Sequence, residues 1–432
     1  MPKLKRNVGL WGAASVGIAN IIGAGIFVVS GVAAGLAGPS VVLSFLTAGF
    51  VALMTALSAA ELSSLITETG ASYAFSKRAF GRFVSFSVGW FKYFDYVAGA
   101  AAVSVGFASY FTGLLGLKGS LPLVLAAVAL PLVFTILNII GIRESTFATS
   151  VMVAIKILAL IILIALGGIY VSHYFNQEKF TPFFPNGFGG MFNAAAIIFF
   201  AFLGFNTVCM VSEETKNPEK TIPKALLLSF LITFVLYISI AFLEIAVLDW
   251  RKLGLSASPL ADLAKAISTN RLFLDFISLS ALIATGSVVL SSIIGGTRAS
   301  FAMGRDRLLP SHFDRVSERY GTPYFSIVVA GSIMVVLSGA FYNDIDAIAS
   351  IVNFGSLFTY LFVHLSLLKL RRSEPDAKRL FKVPLYPALP VIGALSCIFL
   401  MYYLGNNAKI AAVIWFMMGL VVYLAVAKTN IE

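Results

Sequence analysis

The sequence predicts an all-α membrane protein with about twelve crossing helices, and three observations predict it. Of 432 residues, 59% are hydrophobic and only 12% charged, with a mean hydropathy of +0.92; soluble globular chains average about 45–50% apolar and about 25% charged residues. The apolar residues are gathered into runs of the length a bilayer demands, roughly 20 residues of helix. The basic residues, which give a net charge of +11, collect in the gaps between those runs, as topology signals do. Disorder is excluded by the same composition. Two cysteines, Cys209 and Cys397, exclude a disulfide-stapled secreted domain. Three histidines, scattered at His173, His312 and His364, leave no zinc or haem spacing, so no metal or cofactor is called for.

Read in order, the apolar runs cover 10–37, 41–66, 83–114, 121–141, 147–171, 188–211, 222–248, 272–300, 324–341, 345–369, 386–405 and 409–427. The first is too long for a signal-peptide h-region and lacks a cleavage site, so it counts as a span. An even number puts both termini on one side. With the N-terminus inside, only Lys118, Lys179, Arg251, Lys252, Lys265, Arg271 and Lys409 fall outside, and Lys92 and Lys156 fall within runs. The other basic residues lie inside, about three times as many as outside, which makes both termini cytoplasmic. That placement also argues against a nucleic-acid partner for the positive charge. The longest gaps, around 249–271, 301–323 and 370–385, suit short amphipathic helices and are too short for a separate domain core. The whole chain, 1–432, reads as one membrane domain with lipid around it.

Two spans carry interruptions. The first contains Asn20-Ile-Ile-Gly-Ala-Gly-Ile-Phe27, with two glycines near mid-span, where they weaken helix and free backbone groups. In lipid such groups survive only where they line a buried cavity. The motif therefore marks either an anion site on the N–H groups of Gly23, Ala24 and Gly25 or close helix packing through small residues. The sixth contains Phe199-Phe-Ala-Phe-Leu-Gly-Phe-Asn206, again with a mid-span glycine, Gly204, and a polar Asn206. Span six opens a second unit of five if spans one to five (10–171) form the first, leaving 188–369 as the second unit and 386–427 as two additional helices. Interrupted spans at corresponding places in two halves point to a transporter binding site, and an odd number of spans per unit inverts the second relative to the first.

The ionisable residues inside spans are few. Lys156 sits among Ile155, Ile157 and Leu158, about 20 Å along a helix from Arg143 at about 1.5 Å per residue. It cannot snorkel from there, so it must face a cavity, hold carbonyls as a static ammonium, or exchange its proton. Asp95 in span three either pairs with Lys92 at i,i+3 or meets a cationic substrate. Glu61, near the inner end of span two, reads as an inner-gate or a structural residue. Glu244, near the outer end of span seven, reads as interfacial, and Glu213, Glu214 and Lys216 read as a solvated turn before Pro218.

Several motifs carry a resemblance. Gly23-Ala-Gly-Ile-Phe27 with Ser30-Gly-Val-Ala-Ala-Gly and Ala37-Gly-Pro-Ser, then Glu68-Thr-Gly-Ala-Ser-Tyr73, then Phe199-Phe-Ala-Phe-Leu-Gly-Phe205 occur in order. Ser212-Glu-Glu-Thr-Lys-Asn-Pro-Glu-Lys-Thr-Ile-Pro-Lys224 and Ala302-Met-Gly-Arg-Asp-Arg-Leu-Leu-Pro310 follow. Together they resemble the amino acid–polyamine–organocation (APC) transporters, specifically the branch with the cationic amino acid transporters and their prokaryotic relatives. The resemblance implies a LeuT-type 5+5 inverted repeat with helices 1 and 6 broken and two C-terminal helices added. It implies a substrate carboxylate on the N–H groups of Gly23, Ala24 and Gly25, and an α-ammonium on the carbonyls of Ile21, Phe200 and Leu203 beside Gly204. Phe200 matches an aromatic gate. A bulky residue at Gly25 is then expected to abolish transport without unfolding the protein. Lys156 matches a lysine that replaces sodium in proton-coupled relatives, with its ammonium near the Gly23 region and Ser287.

The function expected is secondary active amino acid transport in the cell membrane by proton symport, with exchange by the same fold as the alternative. A membrane-embedded transferase lacks a compact carboxylate or histidine constellation. A channel would show repeated pore-lining polar residues, and an ATP-driven pump would need a phosphate-binding Gly-x-x-x-x-Gly-Lys-Ser/Thr loop that the sequence does not contain.

Overall fold

The computed structural model describes residues 8–67, 71–141 and 146–429. Glu68, Thr69 and Gly70 of the third motif, Arg143 and the basic residues before Val8 lie outside them. Among the described residues the regular structure is helical, apart from one isolated parallel bridge between Val8 and Thr215.

The helices follow the apolar runs to within a few residues. The first run is α1 (Leu10–Ile21), a π-helical turn Gly25–Val29 and α2 (Ser30–Ala37). A 3₁₀ turn, Gly38–Ser40, reverses the chain into α3 (Val41–Leu65). Gly38 supplies the positive φ of +60° that the turn requires, and the edge of Pro185 fills the place a side chain would take. Short α4 (Ser72–Ala79) leads to α5 (Arg82–Leu114), α6 (Ser120–Ile140) and α7 (Thr146–Tyr174). The sixth run begins as α8 (Gly187–Ile198) and continues as 3₁₀ segments Phe199–Phe202 and Phe205–Glu214. Then come α9 (Pro218–Val247), the short α10 (Trp250–Leu253) and α11 (Pro259–Ile267), and α12 (Arg271–Arg305). The chain ends with α13 (Tyr324–Ala340), α14 (Ile345–Ser373), α15 (Ala388–Tyr403) and α16 (Asn406–Thr429).

Nine stretches are long and apolar enough to cross a membrane among the described residues. One of them, Leu10–Leu65, spans 56 residues and holds both the broken first helix and α3, more than twice the length one crossing needs. Tyr324–Ala340 and Ala388–Tyr403 are apolar but shorter.

Burial divides the helices into a core and a jacket. α5 packs along α12 and α14, and α3 along α9 and α8. Around them, α6, α7, α15 and α16 turn apolar faces outward, including Leu121, Leu125, Leu158, Ile161, Leu395, Ile398, Ile414, Met418 and Val421. A protein surrounded by water would not leave so broad an apolar surface uncovered. Lipid would cover it without cost.

At one end of the bundle, charged side chains tie helices together. Arg371 on α14 forks onto Glu61 of α3 through Nε (2.6 Å) and Nη2 (2.7 Å), Arg379 approaches at 3.4 Å, and the Val383 N–H donates to the same carboxylate at 2.6 Å. Glu61 is thus a fully enclosed structural anchor. Glu244 departs from its sequence reading: it is not interfacial but wholly buried, and Ser30 Oγ donates to its Oε1 at 2.7 Å. The reason is tertiary: α1, α7 and α11 pack against α9, and Ser30, which begins α2, reaches the carboxylate.

Candidate functional site

The two interrupted helices meet, and a small cavity of about 50 Å³ opens where they do. The first break falls at Ile22, whose extended backbone (ψ 92°) ends α1 before the chain coils again from Ala24. The second falls at Leu203, also extended (ψ 157°), and at Gly204, whose φ of +100° only glycine adopts without strain. The halves touch through backbone. A Cβ on Gly25 would lie 2.2 Å from Ala201 Cα, and one on Gly204 would lie 2.8 Å from the Asn20 carbonyl.

All seven residues expected at a substrate site line this cavity: Ile21, Gly23, Ala24, Gly25, Phe200, Leu203 and Gly204. Asp95 lines it too. The opposite wall comes from α5 and α12, through Lys92, Tyr96, Gly99, Val103, Val288 and Ser292, with Asn20 and Thr207 completing it. Asn206 is not among the lining residues; its Nδ2 turns towards Ser72 Oγ at 3.5 Å, because the 3₁₀ winding after Gly204 rotates it away.

Breaking a helix in an apolar interior strands its carbonyls, and each break has a side chain that collects them. Lys156 Nζ, fully buried, donates to Ala19 O (2.8 Å), Ile22 O (3.0 Å) and Ser287 Oγ (2.7 Å). Ser287 in turn donates to Ala284 O. The ammonium's three donors therefore match three neutral acceptors. Lys156 and Ser287 stand behind the first break rather than in the cavity lining. At the second break Asn353 of α14 plays the corresponding part, its Nδ2 donating to Ala196 O (2.8 Å) and Ile197 O (2.9 Å). Two tyrosines hold further carbonyls of the first span: Tyr237 donates to Ile21 O at 2.8 Å and Tyr110 to Phe27 O at 2.6 Å.

These contacts bear on how a substrate amine could bind. The Ile21 carbonyl already accepts from Tyr237, and the Phe200 carbonyl accepts from Leu203 N at 3.2 Å. Each keeps a second lone pair, so both can take one donor more. Asp95 receives a hydrogen bond from Lys92 one turn earlier on α5, and both side chains are buried.

Sequence reading missed Asn353, Tyr237, Asn20 and Ser292. Asn20 and Ser291 hydrogen-bond at 2.6 Å across the first break, a contact between residues 271 apart. The missed residues are ordinary polar or aromatic positions on otherwise regular spans. Only their facing across helices gives them a role.

The sequence profile of the family described as "Amino acid permease" matches residues 8–426. The branched-chain amino acid permease BcaP of Bacillus subtilis (strain 168) is 34% identical over 99% of this chain and 94% of its own length. The methylthioribose transporter of the same organism is 32% identical over 99% and 94%. The vacuolar cationic amino acid transporter 2 of Arabidopsis thaliana is 31% identical over 85% of this chain and 60% of its own length. Broken apolar helices around a buried cavity, with relatives that span almost the whole chain, make this a multi-pass membrane transporter and not an enzyme; the chain belongs to the amino acid permease family.

Proposed function

We propose that this protein is a secondary active amino acid transporter of the cell membrane, driven by proton symport. In this reading it has twelve crossings, a 5+5 inverted repeat followed by two helices, and both termini in the cytoplasm. Relatives named as amino acid permeases support the substrate class. The paired bracing of the two breaks, by Lys156 on α7 and Asn353 on α14, supports the repeat, since each donor lies on the last span of its own unit.

Substrate ends are read by backbone. The carboxylate sits on the N–H groups that begin the second half of span one, at Gly23, Ala24 and Gly25, where an interrupted helix presents unpaired donors. The α-ammonium sits on the carbonyls of Ile21, Phe200 and Leu203. Phe200 closes over the bound molecule.

The observation that carries the coupling is the Lys156 contact set. As an ammonium it satisfies Ala19, Ile22 and Ser287 together. As a neutral amine it keeps two N–H donors and a lone pair, so it can hold at most two of those acceptors. Losing the proton therefore loosens the first span from α12 and allows the broken spans to rock against the rest. A cation already occupies this place, which leaves no role for sodium.

The test is uptake of radiolabelled amino acids into proteoliposomes. We expect an inward proton gradient to drive accumulation and sodium to have no effect. Lys156→Ala should bind substrate yet lose the response to the gradient. Accumulation by Lys156→Ala that still follows the gradient would overturn the coupling. Uptake that requires a counter-substrate inside and ignores pH would establish exchange instead.

A further inference from the structure

The cavity carries its own internal cation. Lys92 and Asp95 both line it, both are about 5–6% exposed, and the lysine donates to the carboxylate. The ammonium is also held from its other sides, over the Tyr96 ring at 4.7 Å and the Tyr360 ring at 5.9 Å. Two aromatic faces and one carboxylate leave it little reason to swing out of the site. The remaining lining is apolar or uncharged: Val103, Val288, Gly99, Ser292 and Thr207.

We propose that Lys92 is a specificity-determining residue that restricts this site to amino acids with uncharged side chains. The inference rests on the amino acid transport reading above and names the substrate class within it. Among the described residues Asp95 is the one lining carboxylate that could receive a lysine or arginine side chain, and Lys92 occupies it. A second cation beside Lys92 would meet a like charge in a desolvated site, where repulsion is poorly screened. An acidic side chain would meet Asp95. A pair with no net charge thus disfavours both signs, and a neutral side chain against Val103 and Val288 meets neither penalty.

The experiment compares neutral, cationic and acidic amino acids as competitors and as substrates, using the full-length chain in proteoliposomes. The wild-type protein is expected to prefer leucine or alanine over lysine, arginine and aspartate by on the order of 100-fold. Lys92→Met frees Asp95, so the preference for leucine over lysine should shrink by at least about tenfold. Adding Asp95→Asn to Lys92→Met should remove cation uptake again. Wild-type protein that takes lysine as readily as leucine overturns the inference while leaving amino acid transport intact. So does a Lys92→Met protein that moves leucine with selectivity unaltered. If Lys92→Met fails to fold, Lys92→Gln, uncharged but polar, is read in the same competition series, and unaltered selectivity there overturns the inference equally. Protein that binds no amino acid at all overturns the transport reading and this inference together.

Discussion

At the scale of single residues, the same glycine can serve a ligand or a neighbour, and here the structure separates the two. Gly25 reads in sequence as a position whose enlargement would abolish transport and spare the fold. Its Cβ direction, however, points at Ala201 Cα, a backbone atom that cannot give way. Gly25 is where the two broken spans are pressed together. Gly25→Ala should therefore lower the melting temperature of the detergent-purified protein along with substrate binding. A variant that melts like the wild type would show that the spans can part without cost. Gly23 differs, because what its Cβ would meet is a methyl of the Val288 side chain at 2.8 Å and no backbone atom. Lys156 was legible in sequence by cost alone: an amine in mid-bilayer requires a partner. Which carbonyls it holds was not legible, because nothing local to α7 names Ala19 or Ile22.

At the scale of elements, a broken helix is stable only if something outside it takes up the freed carbonyls. Mid-span glycines showed in sequence where the breaks fall, but not what braces them. Asn353 is an unremarkable polar residue on an amphipathic span, and its value comes from where α14 passes α8. Asn353→Leu removes the donor to Ala196 and Ile197 and leaves buried carbonyls unmet, at about 1–3 kcal/mol. We expect a lower unfolding temperature in detergent and weaker substrate binding, because the end of α8 leads directly into Phe200. An unchanged unfolding temperature would mean that these carbonyls find other donors. Glu244 shows the reverse case. Its position near the end of an apolar run suggests an interface, yet it is wholly buried, and Ser30 donates to one of its two carboxylate oxygens.

At the scale of the whole molecule, charges off the membrane spans tie α4 to the end of α12. Lys77 and Tyr73 both donate to Asp306 Oδ2, at 2.6 and 2.5 Å. Burial pushes the Asp306 carboxyl up, but the hydrogen bonds from Lys77 and Tyr73, with the positive charges of Lys77 and Arg305, hold it below its ordinary value. A depressed carboxylate stabilises the fold above the unfolded range and loses that contribution as pH falls through its folded value. The wild type should therefore exceed Asp306→Asn in thermal stability at neutral pH, with the difference vanishing in acid. The gap should be small, since Lys77 is half exposed. A difference that persists or grows in acid would contradict this.

The sequence by itself determined the class of the molecule, the approximate place of each helix and the two interruptions. These follow from terms local to the chain: apolar length against bilayer thickness, charge in the gaps, and the weakness of glycine in a helix. The family resemblance added the lining residues Ile21, Gly23, Ala24, Gly25, Phe200, Leu203 and Gly204. Only the tertiary structure decided which side chains meet across helices. It gave Lys156 the carbonyls of Ala19 and Ile22 beside the Ser287 that the resemblance implied, set Asn353 against α8, and placed the Lys92–Asp95 pair in the cavity wall. It also turned Asn206 away from the cavity. The reason is physical: in an apolar interior a polar group is defined by its partner, and partners more than a hundred residues apart are chosen by packing.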